Sequence, residues 1–118
     1  MPEKVVILTP FLNEEESLNR LLTELTVALK EFKETAFTML VVDDGSTGNF
    51  RITAPVLFPI QVLHLQRNIG HQKAIAVGLA HIKAAVSCDK VLVMDADGED
   101  RPEDRLVCAA AGIRQVGP

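Results

Sequence analysis

Tryptophan and tyrosine are absent from the 118-residue sequence, and five phenylalanines make up its whole aromatic content. Stacking platforms for single-stranded nucleic acid need a better supply of rings. A basic surplus is missing too: 12 Lys and Arg stand against 16 Asp and Glu, a formal net charge of −4. Backbone-neutralising nucleic-acid binders carry the opposite balance, so no nucleic-acid partner is expected. Cys88 and Cys108 are the only cysteines. They are spaced neither as a metal knuckle nor as a redox pair, and are expected as reduced, buried thiols in a cytoplasmic chain. No apolar run nears the ~18 residues of a membrane span. Met1-Pro2-Glu3-Lys4 leads straight into a strand-like run and not into a signal-peptide core. What is present is ordinary for a globular chain: 47% hydrophobic and 24% charged residues, enough for one domain over residues 1–118 with a buried core.

Lys4–Thr9 is continuously apolar and β-branched, which suits a strand buried on both faces and stopped by Pro10. Asn13 and Glu16 are spaced as a capping box, opening a helix with the stripe Leu18, Leu21, Leu22, Leu25, Ala28, Leu29 and Phe32. A second strand is expected at about Phe37–Val42. Thr47–Pro59, with two prolines and Gly48, is expected to be irregular or a short edge strand. A third strand follows at Ile60–Leu65, then a helix from about Gly70 to Ala85, a fourth strand at Val91–Met94, and a last helix from Pro102 to about Ile113. This order predicts an α/β fold, a mostly parallel sheet with helices on both faces.

Ligands of open parallel sheets bind beyond the carboxyl ends of the strands, and every unusual polar cluster here falls at such an end. The first strand delivers Pro10 to Glu14, the second Asp43-Asp44-Gly45-Ser46, the third Arg67-Asn68, and the fourth Asp95-Ala96-Asp97-Gly98-Glu99. So many acidic loops on one rim would repel one another unless a cation or a hydrogen-bonding ligand satisfied them. Asp95 and Asp97 point the same way in an extended segment, and Glu99 continues the spacing. Such hard oxygen ligands suit Mg²⁺ or Mn²⁺, although acids after a strand also serve merely as turns or helix caps. Asp43 and Asp44 are open to both a surface-turn role and acceptance of a hydrogen bond from a nucleobase or ribose. Arg67 could pair with a phosphate or with a structural carboxylate. Lys73, in the first turn of its helix, is unfavourable to the dipole and hints at an anion nearby. His64 is expected in the core or at a sheet edge, His81 on a helix face, and His71 beside the Arg67-Asn68 loop.

Together these segments resemble the family 2 glycosyltransferases of the GT-A fold. The resemblance is carried by Val5–Pro10 with Asn13-Glu14, Val41–Ser46, Arg67-Asn68-Ile69-Gly70 with Ala74, and Met94–Asp97 followed by Pro102-Glu103. The Arg-Asn-x-Gly and Met-Asp-Ala-Asp segments look most like the dolichyl- or polyprenyl-phosphate sugar synthases. The resemblance implies a Rossmann-like half that binds a UDP- or GDP-linked sugar for inverting transfer to an acceptor such as a polyprenyl phosphate at the inner face of a membrane. It places Pro10, Glu14 and Asp43 around the nucleobase and ribose, and Arg67 and Lys73 near the diphosphate. Asp95, Asp97 and Glu99 would hold the divalent ion on that diphosphate, Asp95 also bordering the donor. Leu12 stands where the family often has an aromatic residue, and Gly48 where it usually has an Asp. Only 19 residues follow Glu99, so the acceptor-binding half and a catalytic base are expected to be missing, and the uncovered sheet is expected to drive self-association.

Other readings fit less well. Val91–Gly98 also looks like the first motif of haloacid-dehalogenase-type phosphatases, but too little chain follows. A receiver domain fits the length, yet its acidic pair follows the first strand. A nucleotide-binding fragment or regulatory module without turnover is the non-enzymatic alternative.

Overall fold

A computed structural model describes residues 3–48 and 50–94. Four parallel strands, β1 (Glu3–Phe11), β2 (Thr35–Asp43), β3 (Ile60–His64) and β4 (Lys90–Val93), form one sheet in the order β3-β2-β1-β4. Helix α1 (Glu15–Ala28) runs into a 3₁₀ turn at Leu29–Glu31 and connects β1 to β2; helix α2 (His71–Ala85) connects β3 to β4. The expected α/β architecture is therefore present. The last expected helix lies outside the described residues.

The two central strands show why continuous apolar runs were needed. Alternate residues of β1 go to opposite faces. Val5, Ile7 and Phe11 join Leu18, Leu21, Leu22 and Leu25 of α1, while Val6 and Leu8 join Ala74 and Ile82 of α2. Each face thus has its own core, and both need apolar side chains from the same strand. The α2 side is packed so closely that a Cβ at Gly78 would meet Leu8 Cδ1 at 2.5 Å and Val42 Cγ2 at 2.9 Å. The absent side chain lets the helix lie directly on the sheet.

Three local expectations are corrected. Pro10 does not stop the first strand, which continues to Phe11. Leu8 and Phe11 present their carbonyls to opposite neighbours: Leu8 O accepts from Met94 N, and Phe11 O from Asp44 N. Carbonyl and N–H alternate sides along the strand, so Pro10 faces the β4 side, where pairing among the described residues runs from Val5 to Leu8. Its missing N–H therefore breaks no bond of that ladder. Asn13 is not the helix cap; Glu14 holds that place without a side-chain hydrogen bond, and Asn13 sits at φ 52°. Phe32 is not buried with the stripe but is 42% exposed, edge-on to Phe37.

The stretch between β2 and β3 is irregular, as expected, yet it is ordered by a rule of its own. Phe50, Ile52, Ala54, Val56 and Phe58 alternate onto the α1-side core. Asn19 of α1 fastens it: Oδ1 accepts from Thr53 N (2.7 Å) and Ala54 N (3.1 Å), and Nδ2 donates to Arg51 O (2.8 Å). Glu15 Oε1 accepts from Arg51 N as well. These bonds satisfy backbone groups that no neighbouring strand serves among the described residues.

Candidate functional site

The carboxyl ends of β1, β2 and β3 are tied into one rim by side chains that the sequence places in loops. After β1, Asn13 N donates to Ser46 Oγ (2.9 Å), and Asn13 Oδ1 accepts from Thr47 N (2.9 Å). The left-handed backbone of Asn13, tolerable for this residue type, turns its amide toward the loop after β2. That loop then holds the next one. Asp44 is 3% exposed, and its carboxylate accepts from Ile69 N (2.8 Å, Oδ1) and Gly70 N (3.1 Å, Oδ2). Gly45, at φ +78°, lies so close below that a Cβ would meet Arg67 C and Asn68 N at 2.5 Å. Asp44 and Gly45 thus form the seat on which the Arg67–Gly70 segment rests.

Asp43 is satisfied by the protein as well. Its Oδ1 accepts from Ser46 N (3.0 Å), and its Oδ2 lies 2.9 Å from His64 Nδ1. Burial pushes this carboxyl up, but the hydrogen bonds from Ser46 and His64 and the charge of His64 outweigh it and hold it below its ordinary value of 3.8. The acids of the second strand's end therefore do not depend on a cation or ligand; internal donors answer them. A lowered native value gives stability that is fully present above the unfolded value and lost as pH falls through the native one. Wild type is expected to exceed Asp43→Asn in stability near neutral pH and to lose that advantage as pH falls below about 3.8, measured by urea unfolding across an acid series.

Among the other expected site residues, Pro10 is buried and pairs in register with Val42, while Glu14 is exposed, its carbonyl accepting from Leu18 N. Arg67 and Lys73 come together, with Asn68, Ile69 and Gly70, around an open hollow of about 560 Å³ at the start of α2. Both cations are exposed. Asp95, Asp97 and Glu99 lie outside the described residues, as does Cys108. Among the described residues no group of three or more His, Cys, Asp or Glu could hold a metal ion. Met94, which precedes Asp95, is buried, and its N donates to Leu8 O at 2.9 Å. Cys88 is half-buried rather than buried, its thiol pushed up by burial and by Asp89.

Sequence reasoning missed four residues of this rim: Asn13 as a loop tie, Asp44 as the seat of the third loop, His64 as the partner of Asp43, and Phe50. His64 is at an edge, as expected, but its side chain is 67% exposed and engaged with Asp43. Strand register brings that pair together: Asp43 and His64 are partners on adjacent strands. Phe50 stacks at 4.3 Å between ring centroids on Phe11 and lies 6.2 Å from the His64 ring.

A parallel sheet covered on both faces, with polar loops gathered at its carboxyl rim, defines a GT-A-like α/β fold. A crystal structure of S. aureus TarS residues 1–349 is similar, with a TM-score of 0.62 and 28% identity over 95% of this chain and 32% of that one. The sequence matches the Glycosyl transferase family 2 model over residues 6–110, and the chain belongs to that family. Relatives include the undecaprenyl-phosphate 4-deoxy-4-formamido-L-arabinose transferases of Sodalis glossinidius (strain morsitans) and Serratia proteamaculans (strain 568). Each is 39% identical, over 92% and 98% of this chain respectively. The chain spans about a third of the length of these relatives, 34% and 36%.

Proposed function

We propose that this chain supplies the donor-binding part of an inverting sugar transferase. Its donor is a nucleoside-diphosphate sugar, UDP- or GDP-linked, and its acceptor is a polyprenyl phosphate at the inner face of a membrane. The observation that carries this reading is the stitched rim. Loops after three parallel strands are fixed to one another beside a hollow bearing Arg67 and Lys73, and β4 ends one residue short of Met94, which adjoins Asp95. The undecaprenyl-phosphate substrate named for the relatives supports the choice of acceptor. Among the described residues no helix is long and apolar enough to cross a membrane.

In this reading Pro10, Glu14 and Asp43 line the nucleoside pocket, and Arg67 and Lys73 meet the diphosphate. Asp95, Asp97 and Glu99, a hard oxygen donor set suited to Mg²⁺ or Mn²⁺, hold the divalent ion. When bound, that ion neutralises charge on the departing nucleoside diphosphate. The chain's own part is to bind and orient: the loop seat fixes Arg67 near the donor, and the Asp43 cluster fixes the nucleoside end. Calorimetric titration with UDP and GDP tests this. Binding of one of them in Mn²⁺ and its loss in chelator are expected; no heat from either nucleotide in Mn²⁺ contradicts it. Release of labelled sugar from UDP- and GDP-sugars then separates a transferase from a binding module without turnover.

A further inference from the structure

The rim's acid and its exposed partner divide the work in a way that the strand-end motifs alone do not suggest. Asp43 sits where the nucleoside pocket is proposed, yet its side chain is 9% exposed and both its oxygens are engaged. Little of that carboxylate is open to an incoming group. His64 is its opposite, 67% exposed at the end of β3, an outer strand among the described residues. In the neutral imidazole a carboxylate at one ring nitrogen sets the tautomer: the proton is kept at Nδ1 and Nε2 is left as an acceptor. Beside the ring lies half-buried Phe50, its centroid 6.2 Å away and itself backed by the buried ring of Phe11. Leu12, just past the end of β1, is 38% exposed and offers no ring.

We propose that His64 is the residue that touches the nucleoside. Its Nε2 accepts a hydrogen bond from a ring N–H or ribose hydroxyl, and Asp43 acts through it as a positioning residue. This rests on the donor-binding reading above and specifies which group performs recognition at the nucleoside end. Binding to the diphosphate end is then independent of His64.

The test titrates wild type, His64→Ala and His64→Asn with UDP, GDP and inorganic pyrophosphate, all in Mn²⁺. Asn places an amide N–H where Nδ1–H stood and so can keep the bond to Asp43, but it lacks Nε2. Both variants are expected to bind the preferred nucleoside diphosphate roughly tenfold more weakly, the worth of one good hydrogen bond, with pyrophosphate affinity unchanged. Wild-type affinity in His64→Ala overturns the proposal. So does recovery in His64→Asn, which would make His64 merely the support of Asp43, and so does an equal loss toward pyrophosphate. A wild type that binds neither UDP nor GDP removes the donor-binding reading itself and this proposal with it.

Discussion

Gly45→Ala is expected to destabilise the chain by about 2–4 kcal/mol and to unseat the Arg67–Gly70 loop. Two costs add at this position. At φ +78° a side chain is strained wherever it points, and here its Cβ would overlap the backbone of Arg67 and Asn68 at 2.5 Å. Backbone gives way less readily than the tip of a flexible side chain, so the loop must lift as a whole. Urea unfolding measures the first cost. The second shows as weakened nucleoside-diphosphate and pyrophosphate affinity together, since Arg67 leaves its place beside the hollow. An unchanged unfolding midpoint would mean that this contact carries no weight in the fold.

Asp44→Ala attacks the same seat from the other side. It removes a buried carboxylate that accepts from Ile69 N and Gly70 N, and charge-assisted bonds of this kind are the stronger ones. The loss is expected to be about 2–4 kcal/mol, because two backbone donors are left without acceptors in a part-buried place. Asp44→Asn keeps one carbonyl acceptor and is expected to fall between wild type and Ala in urea unfolding. Equal stability of all three proteins would show that water serves those N–H groups as well as the carboxylate does.

Much of the fold was legible because its cause is local. Val5–Leu8 and Met39–Val42 are apolar without interruption, which only a strand covered on both faces requires, and the leucines of α1 recur at helical spacing. Pro10 misled because its effect depends on which neighbour its nitrogen faces, and that side, toward β4, is paired among the described residues only up to Leu8. Asn13 misled for a similar reason: its spacing from Glu16 suggested a cap, but Ser46 and Thr47, brought alongside by the sheet, offered it better partners. The alternation from Phe50 to Phe58 was readable in principle, yet Gly48, Pro55 and Pro59 outweighed it, and the Asn19 bonds that fix this segment reach across more than 30 residues.

The site was legible as a set of strand ends, not as a division of labour. The motif Asp43-Asp44-Gly45-Ser46 is open, as sequence, to a surface turn or to one Asp accepting from a nucleoside. Folded, Asp44 and Gly45 build a seat for the next loop, while Asp43 and Ser46 turn inward to His64, Asn13 and each other. Those assignments arise from the pairing of β2 with β3, which no single segment reveals.

Titrating the wild-type chain and Asp97→Ala with UDP and GDP in Mn²⁺ tests the donor-binding account most directly. The account predicts saturable, chelator-sensitive binding of one nucleotide to wild type and its loss in Asp97→Ala. Absence of binding to wild type, or equal binding to both proteins, would contradict it.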